Sequence, residues 1–118
     1  MKCISITTGS IPSELGLLAK LEYLSLADNS MTGSIPSELG LLASLQRLYL
    51  DGNSLTGSIP SELGLLANPE TLYLSYNSLT GTMPDEVCAL NLIILDADCE
   101  EVTCTCCTKC CVDGGGCS

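Results

Sequence analysis

Near its C-terminus the chain reads CEEVTCTCCTKCCVDGGGC, residues 99–117, and gathers seven of its nine cysteines there. Thiols at this density can ligate a soft metal, exchange electrons, or pair as disulfides. The spacings Cys104-x-Cys106, Cys106–Cys107 and Cys107-x-x-Cys110 occur in metal–thiolate clusters, and Cys-x-x-Cys is also a zinc or redox spacing. Zinc sites usually present two separated hooks, however, and a thioredoxin-type motif needs a βαβ setting that is absent here. The expectation is a disulfide knot drawn from Cys88, Cys99, Cys104, Cys106, Cys107, Cys110, Cys111 and Cys117, without metal or cofactor. Adjacent cysteines should bond outward, since vicinal pairing strains the backbone geometry. A metal–thiolate tail is the alternative. Cys3 is the expected orphan.

Little else could do chemistry. The chain has no histidine, hence no imidazole base, and no Gly-x-Ser-x-Gly or phosphate-binding loop, so an enzyme is not expected. Asp96 and Asp98 lie on one strand face and read as a solvated acidic edge, with calcium binding the lesser reading. Fourteen acidic residues against four basic ones give a formal charge of −10. That surface repels nucleic acid and anionic membranes alike. No apolar run approaches the length of a bilayer span, so direct membrane insertion is not expected. The opening MKCISITTGSIP has no apolar signal-peptide core, yet nine cysteines suit an oxidising compartment. The reconciling expectation is an extracellular or cell-surface protein whose signal segment lies upstream, Met1 not being the true start.

The elements that position these residues follow from a repeat. GSIPSELGLLA occurs at 9–19, 33–43 and 57–67, a spacing of 24 residues, and a fourth copy begins at Gly81 as GTMPDEVCAL before degenerating. A period this short and faithful predicts a solenoid. In YLSLA the leucines alternate, so Leu24 and Leu26 point inward while Tyr23, Ser25 and Ala27 point out. Asn29, Asn53 and Asn77 fall in register, where a buried amide can satisfy the backbone of a turn leaving its strand; Glu100 follows them, so the ladder stops there. Pro and Ser after Ile35 and Ile59 begin short helical segments. Pro69 removes a backbone donor before the third strand and should loosen it locally. The expected division is a degenerate, truncated first repeat at 1–10, repeats at 11–99 and a cap at 100–118. The fourth strand, Ile94–Cys99, is expected to be the last with an inward apolar column, and the tail of Cys, Thr, Gly and acids is not expected to build core. No N-terminal cap is legible, Ser5 standing where the ladder wants Asn, so self-association through that edge is expected.

The residues Leu21, Leu24, Leu26, Asn29, Met31, Gly33, Ile35 and Pro36 match LxxLxLxxNxLTGxIPxxLGxL, and the chain from about 9 to 99 resembles the plant-type leucine-rich repeat. Its ending, ALNLIILDADCEEVTCTCCTKCC, resembles the cysteine-tailed extracellular leucine-rich-repeat proteins of diatoms. The fold class implied is an α/β solenoid: a short arc with a parallel concave β-sheet, 24-residue repeats and a cysteine-rich C-terminal cap. The resemblance also implies that ligands dock on the concave face.

The outward strand positions give that face a composition. They read Tyr23, Arg47, Thr71; then Ser25, Tyr49, Tyr73; then Ala27, Asp51, Ser75, with Asp28, Gly52 and Tyr76 alongside. All four tyrosines thus gather on or beside one face, and tyrosine is enriched at binding hot spots. The candidate binding residues are Tyr23, Arg47, Tyr49, Asp51, Tyr73 and Tyr76, for a receptor-like module taking a protein, peptide or glycan. A second face carries Thr32, Thr56 and Thr80 in one column and Ser34, Ser58 and Thr82 in another, extended by Thr8 and Ser10. Stacked at strand spacing, these hydroxyls suggest ice binding as a rival function.

Overall fold

The computed structural model describes residues 6–112 and 115–118. Expectations placed on Cys3 and Ser5 lie outside them. In chain order the strands are β1 (Thr8–Ser10), β2 (Tyr23–Ser25), β3 (Ser30–Thr32), β4 (Arg47–Tyr49), β5 (Thr56–Ser58), β6 (Thr71–Tyr73) and β7 (Ser78–Thr82). A short helix α1 (Asp85–Cys88) follows, then β8 (Ile94–Asp98), β9 (Val102–Thr103), β10 (Lys109–Val112) and β11 (Gly116–Cys117).

The Leu-x-Leu strands build one sheet in the order β2-β4-β6-β8-β10-β11, parallel except for the last pair. Its register aligns Leu24, Leu48, Leu72 and Leu95, each at most 2% exposed. Three SELGL segments, Ser13–Leu17, Ser37–Leu41 and Ser61–Leu65, form 3-10 turns on the opposite side. Pro12, Pro36 and Pro60 are extended and precede each turn, so the first helical residue is Ser rather than Pro. Between sheet and turns lies a continuous aliphatic core that includes Ile35, Leu39, Leu42, Met31 and their equivalents. Burying such a side chain contributes about 1.5–3 kcal/mol, and only stacking of turns achieves it.

Glycine sets how closely the turns approach. A Cβ on Gly40 would collide with the carbonyl oxygen of Glu62, and one on Gly16 with that of Glu38. Successive 3-10 turns therefore rest on one another at backbone contact.

Pro69 acts over a very short range. In the first two turns Leu21 N–H and Leu45 N–H donate to Leu18 and Leu42 carbonyls at 3.0 and 3.2 Å. Pro69 cannot donate to Leu66, yet Glu70 and Thr71 still donate to Gln46 and β6 keeps register.

Four expectations are corrected. Asp96 and Asp98 are not a solvated edge: they are 5% and 7% exposed. The tail does build structure, because β10 extends the main sheet beside β8, β9 pairs with β7, and Val102 and Cys111 are each 1% exposed. A residue with a free backbone edge beside it can add a strand whatever its side chains, and composition alone gave no sign of this. The fourth strand ends at Asp98, not Cys99. Finally, the hydroxyl columns do not stack like on like. Two smaller sheets, β1-β3 and β5-β7-β9, pair residues 22 or 21 apart rather than 24, so Ser10 faces Thr32, Ser58 faces Thr80 and Thr82 faces Thr103.

Candidate functional site

Positions facing outward from the main sheet form rows across the turns. One row runs Tyr23, Arg47, Thr71, Ile94; the next runs Ser25, Tyr49, Tyr73, Asp96, Lys109. Parallel register brings Tyr49 and Tyr73 side by side, and their rings stack with centroids 5.0 Å apart and planes 21° from parallel. Arg47 lies over the Tyr23 ring, 5.0 Å from its centroid, and its Nε is 3.8 Å from Glu70 Oε1. That ion pair is about half exposed on both sides and adds little stability. Its effect is to hold the guanidinium against the aromatic row, where a cation–π contact contributes on the order of 0.5–1 kcal/mol.

Beyond the tyrosines the face turns acidic. Asp51 is partly buried and its Oδ1 has no hydrogen-bond partner. Burial pushes its carboxyl above the ordinary value; its own backbone bond lowers it, and the charge of Asp28 raises it further. The neighbouring position in the turn is Gly52, at φ +73°, with the Asp28 carboxylate packed against it. Asp28 and Tyr76 occupy the same column at φ 56° each. Tyrosine disfavours this left-handed conformation. Here Asp98 accepts hydrogen bonds from the backbone N–H of Tyr76 and of Asn77, at 2.8 and 3.0 Å, and fixes the turn. Tyr76 is thereby presented 52% exposed, its hydroxyl 3.6 Å from Cys117 Sγ. Asp96 likewise accepts from Leu74 N–H, Ser75 N–H and the Ser75 hydroxyl. Its burial outweighs those bonds and raises its carboxyl above the ordinary value, with the charge of Asp51 adding to the rise.

The structure therefore brings together Tyr49 with Tyr73, and Tyr23 with Arg47. Asp51 and Tyr76 flank them on the same side. Thr71 and Ser75, on the same outward rows, are 8% and 2% exposed and offer no contact surface. Sequence reasoning missed Lys109, which enters the tyrosine row because β10 joins the sheet. No Leu-x-Leu pattern marks β10, so there was no periodic signal to find it.

Beneath the face runs the asparagine ladder. Asn53 Oδ1 accepts from Met31 N–H at 3.0 Å, while its Nδ2 donates to the Leu26, Leu50 and Asp51 carbonyls. Asn77 repeats this on Leu55, Leu50, Leu74 and Ser75. Asn29, at the start, donates to Leu26 and Ala27.

The tail cysteines pair as Cys88–Cys106, Cys99–Cys110, Cys104–Cys107 and Cys111–Cys117, so adjacent cysteines bond outward. With these eight sulfurs bonded in pairs, none of them is a thiolate able to ligate metal. Among the described residues no helix is long and apolar enough to cross a membrane.

The Leucine Rich Repeat family model matches residues 20–42, 44–66 and 68–90, more than half of the chain. A search of the curated proteins found no match. Among solved structures, the chain is similar to the Arabidopsis receptor kinase HAESA, solved with the peptide hormone IDA and the co-receptor SERK1. The two share 33% identity at a TM-score of 0.76, over 80% of this chain and 16% of that one. It is also similar to PEPR1, solved with AtPEP1, at 38% identity and TM-score 0.71, over 76% of this chain and 12% of that one. A plant ice-binding protein is 35% identical at TM-score 0.72, over 82% of this chain and 31% of that one. The chain thus spans less than a third of each. HAESA and the ice-binding protein are plant proteins, and the diatom likeness rests on the cysteine tail alone.

Proposed function

The chain belongs to the leucine-rich repeat family, and from that premise we propose that it is a non-catalytic extracellular recognition module binding a peptide or protein segment on its main sheet. The observation that carries this reading is the stacked Tyr49–Tyr73 pair beside the Tyr23–Arg47 pair on one open sheet face. Rigid aromatic area of this kind binds at low entropic cost, and Tyr23, Tyr49 and Tyr73 are half-buried, each keeping part of its surface open on the face. One of the similar structures is a receptor kinase solved with a peptide hormone bound. Asp51 and Asp28 bias the face toward a partner carrying positive charge. The disulfide-tied tail suits an oxidising compartment.

The test is selection from a displayed peptide library against the parent chain, with a glycan array in parallel. Affinities of selected peptides should fall about tenfold or more in Tyr49→Ala/Tyr73→Ala, with the melting temperature retained. Unchanged affinity in that variant sinks the assignment, and hits confined to glycans redirect the partner class.

Ice binding is the second reading. It is favoured by the exposed hydroxyl rows Ser10/Thr32 and Ser58/Thr80, and by similarity to a plant ice-binding protein. Thermal hysteresis in the parent that disappears when Thr32, Thr56 and Thr80 become tyrosine supports it; a parent without hysteresis ends it.

A further inference from the structure

The 3-10 turns carry a surface that the aromatic face does not use. Leu15, Leu39 and Leu63 point into the core, but two residues on, Leu17, Leu41 and Leu65 are 77%, 59% and 68% exposed. The repeat pattern LGxL leaves this position open, so neither core nor turn chemistry requires leucine there. A 3-10 helix brings residues i and i+3 to one side. Glu14 therefore stands over Leu17, Glu38 over Leu41 and Glu62 over Leu65, all six exposed. Because the glycines let the turns stack at backbone contact, successive leucines are separated by about one strand spacing, ~5 Å. The three form an apolar ridge about 10 Å long beside a parallel rank of carboxylates.

We infer that this Leu/Glu ridge is a docking surface for a basic amphipathic helix of a protein partner, seated with its axis along the solenoid. Charge decides between occupants. A second copy of this chain would oppose glutamates to glutamates, and an anionic membrane would be repelled by the same rank. A helix offers apolar residues at i, i+4 and i+7, which advance about 10.5 Å along its axis, the length of the ridge. Lysines or arginines flanking that stripe would reach the glutamate rank. The ridge lies across the core from the tyrosines, so this partner and the ligand of the main sheet occupy different faces.

The experiment titrates the full chain into a fluorescent synthetic Leu/Lys amphipathic helical peptide, followed by anisotropy. A peptide of equal charge with serine in place of leucine serves as control. The parent should bind the first and not the second. Replacing Leu17, Leu41 and Leu65 together by Asn should weaken binding about tenfold or more while keeping every charge. Glu14→Gln/Glu38→Gln/Glu62→Gln should weaken it comparably and flatten its salt dependence. Tyr49→Ala/Tyr73→Ala should leave it unchanged, which separates this proposal from the main-sheet reading. Should the triple leucine variant misfold by circular dichroism, Leu41→Asn alone is read, with the same sign expected. No binding by the parent overturns the inference, as does full affinity in the leucine variant, which would mean charge attraction alone. Loss of a parent dimer in sedimentation on removing the leucines reassigns the ridge to a second copy and also overturns it.

Discussion

The asparagine ladder makes a prediction whose size is set by position in the stack. Asn53→Ala removes the acceptor for Met31 N–H, and Met31 is fully buried, so that donor has no water to turn to. An orphaned buried donor costs about 1–3 kcal/mol. The carbonyls lose less. Leu26 keeps Asn29 Nδ2, Leu50 keeps Asn77 Nδ2, and Asp51 keeps Asp28 N–H. Their lost bonds add about 1 kcal/mol together, for a total near 2–4 kcal/mol. Asn29→Ala removes donations to Leu26 and Ala27, and Leu26 retains Asn53 Nδ2. About 1 kcal/mol is expected there. The two substitutions are chemically identical, so their difference, about 2 kcal/mol, isolates the bond between turns. Urea denaturation of non-reduced protein measures it, provided the slope m is equal in both variants. Equal destabilisation, or a smaller loss for Asn53→Ala, would show that the inter-turn acceptor does not carry the ladder.

Asp51 gives a pH signature. Its carboxyl, and that of Asp96, titrate above the ordinary value in the folded chain, so folding takes up protons. Their contribution to stability is full below the unfolded value near 3.8 and is lost as pH rises through the folded value. Asp51→Asn should therefore melt higher than the parent at neutral pH, by about 1 kcal/mol of stability, with the difference closing toward acid. Parallel melting curves across that range would contradict it. Cys88→Ala/Cys106→Ala opens a closure of 18 residues that ties α1 to the tail, and should cost about 3 kcal/mol by urea midpoint. A loss under about 0.5 kcal/mol would mean the tail holds without that link. Gly40→Ala should cost about 2 kcal/mol or more, because the backbone of Glu62 must retreat; a neutral result would show that the turns have slack.

How far the sequence was legible depends on what each residue's neighbours are. Inside the repeats every inward leucine and each ladder asparagine has copies above and below, so period alone locates Leu48, Asn53 and Tyr49 correctly. The outward rows follow from alternation, and with them the meeting of Tyr49 and Tyr73. What period does not encode is coverage. Asp96 and Asp98 look solvated by pattern, yet a strand without leucines lays itself beside β8 and buries them. The slip of the hydroxyl sheets was also hidden. Residues 22 apart pair there, so equivalent residues 24 apart do not meet, and the period alone does not reveal that offset. The exposed leucines at 17, 41 and 65 were in plain view but indistinguishable from core leucines until the 3-10 turn fixed which way they face.

The fourth turn shows how such a solenoid is ended. In the first three turns the column of Gly16, Gly40 and Gly64 excludes any Cβ, because the next turn lies against it. The same column holds Cys88 in the fourth, where no further helical turn follows and a side chain has room. That side chain is used to reach Cys106 and draw the tail over the open end. The ladder changes in the same place. Interior turns are satisfied by amides, which both donate and accept, because each asparagine serves its own strand end and the turn before it. At the last turn Asp98 only accepts, from Tyr76 and Asn77, and Asp96 only accepts, from Leu74 and Ser75. A carboxylate has only acceptors, so each of these aspartates answers donors of the preceding turn without serving its carbonyls as the interior amides do. Thr108, exposed just before β10, stands beside Leu95, its hydroxyl accepting from Leu95 N–H and donating to the Leu95 carbonyl. It closes a strand edge that another leucine would have left unpaired. The departures of the fourth turn and the tail thus fall where a neighbour is missing, which is why the tail reads as irregular in sequence and continuous in space.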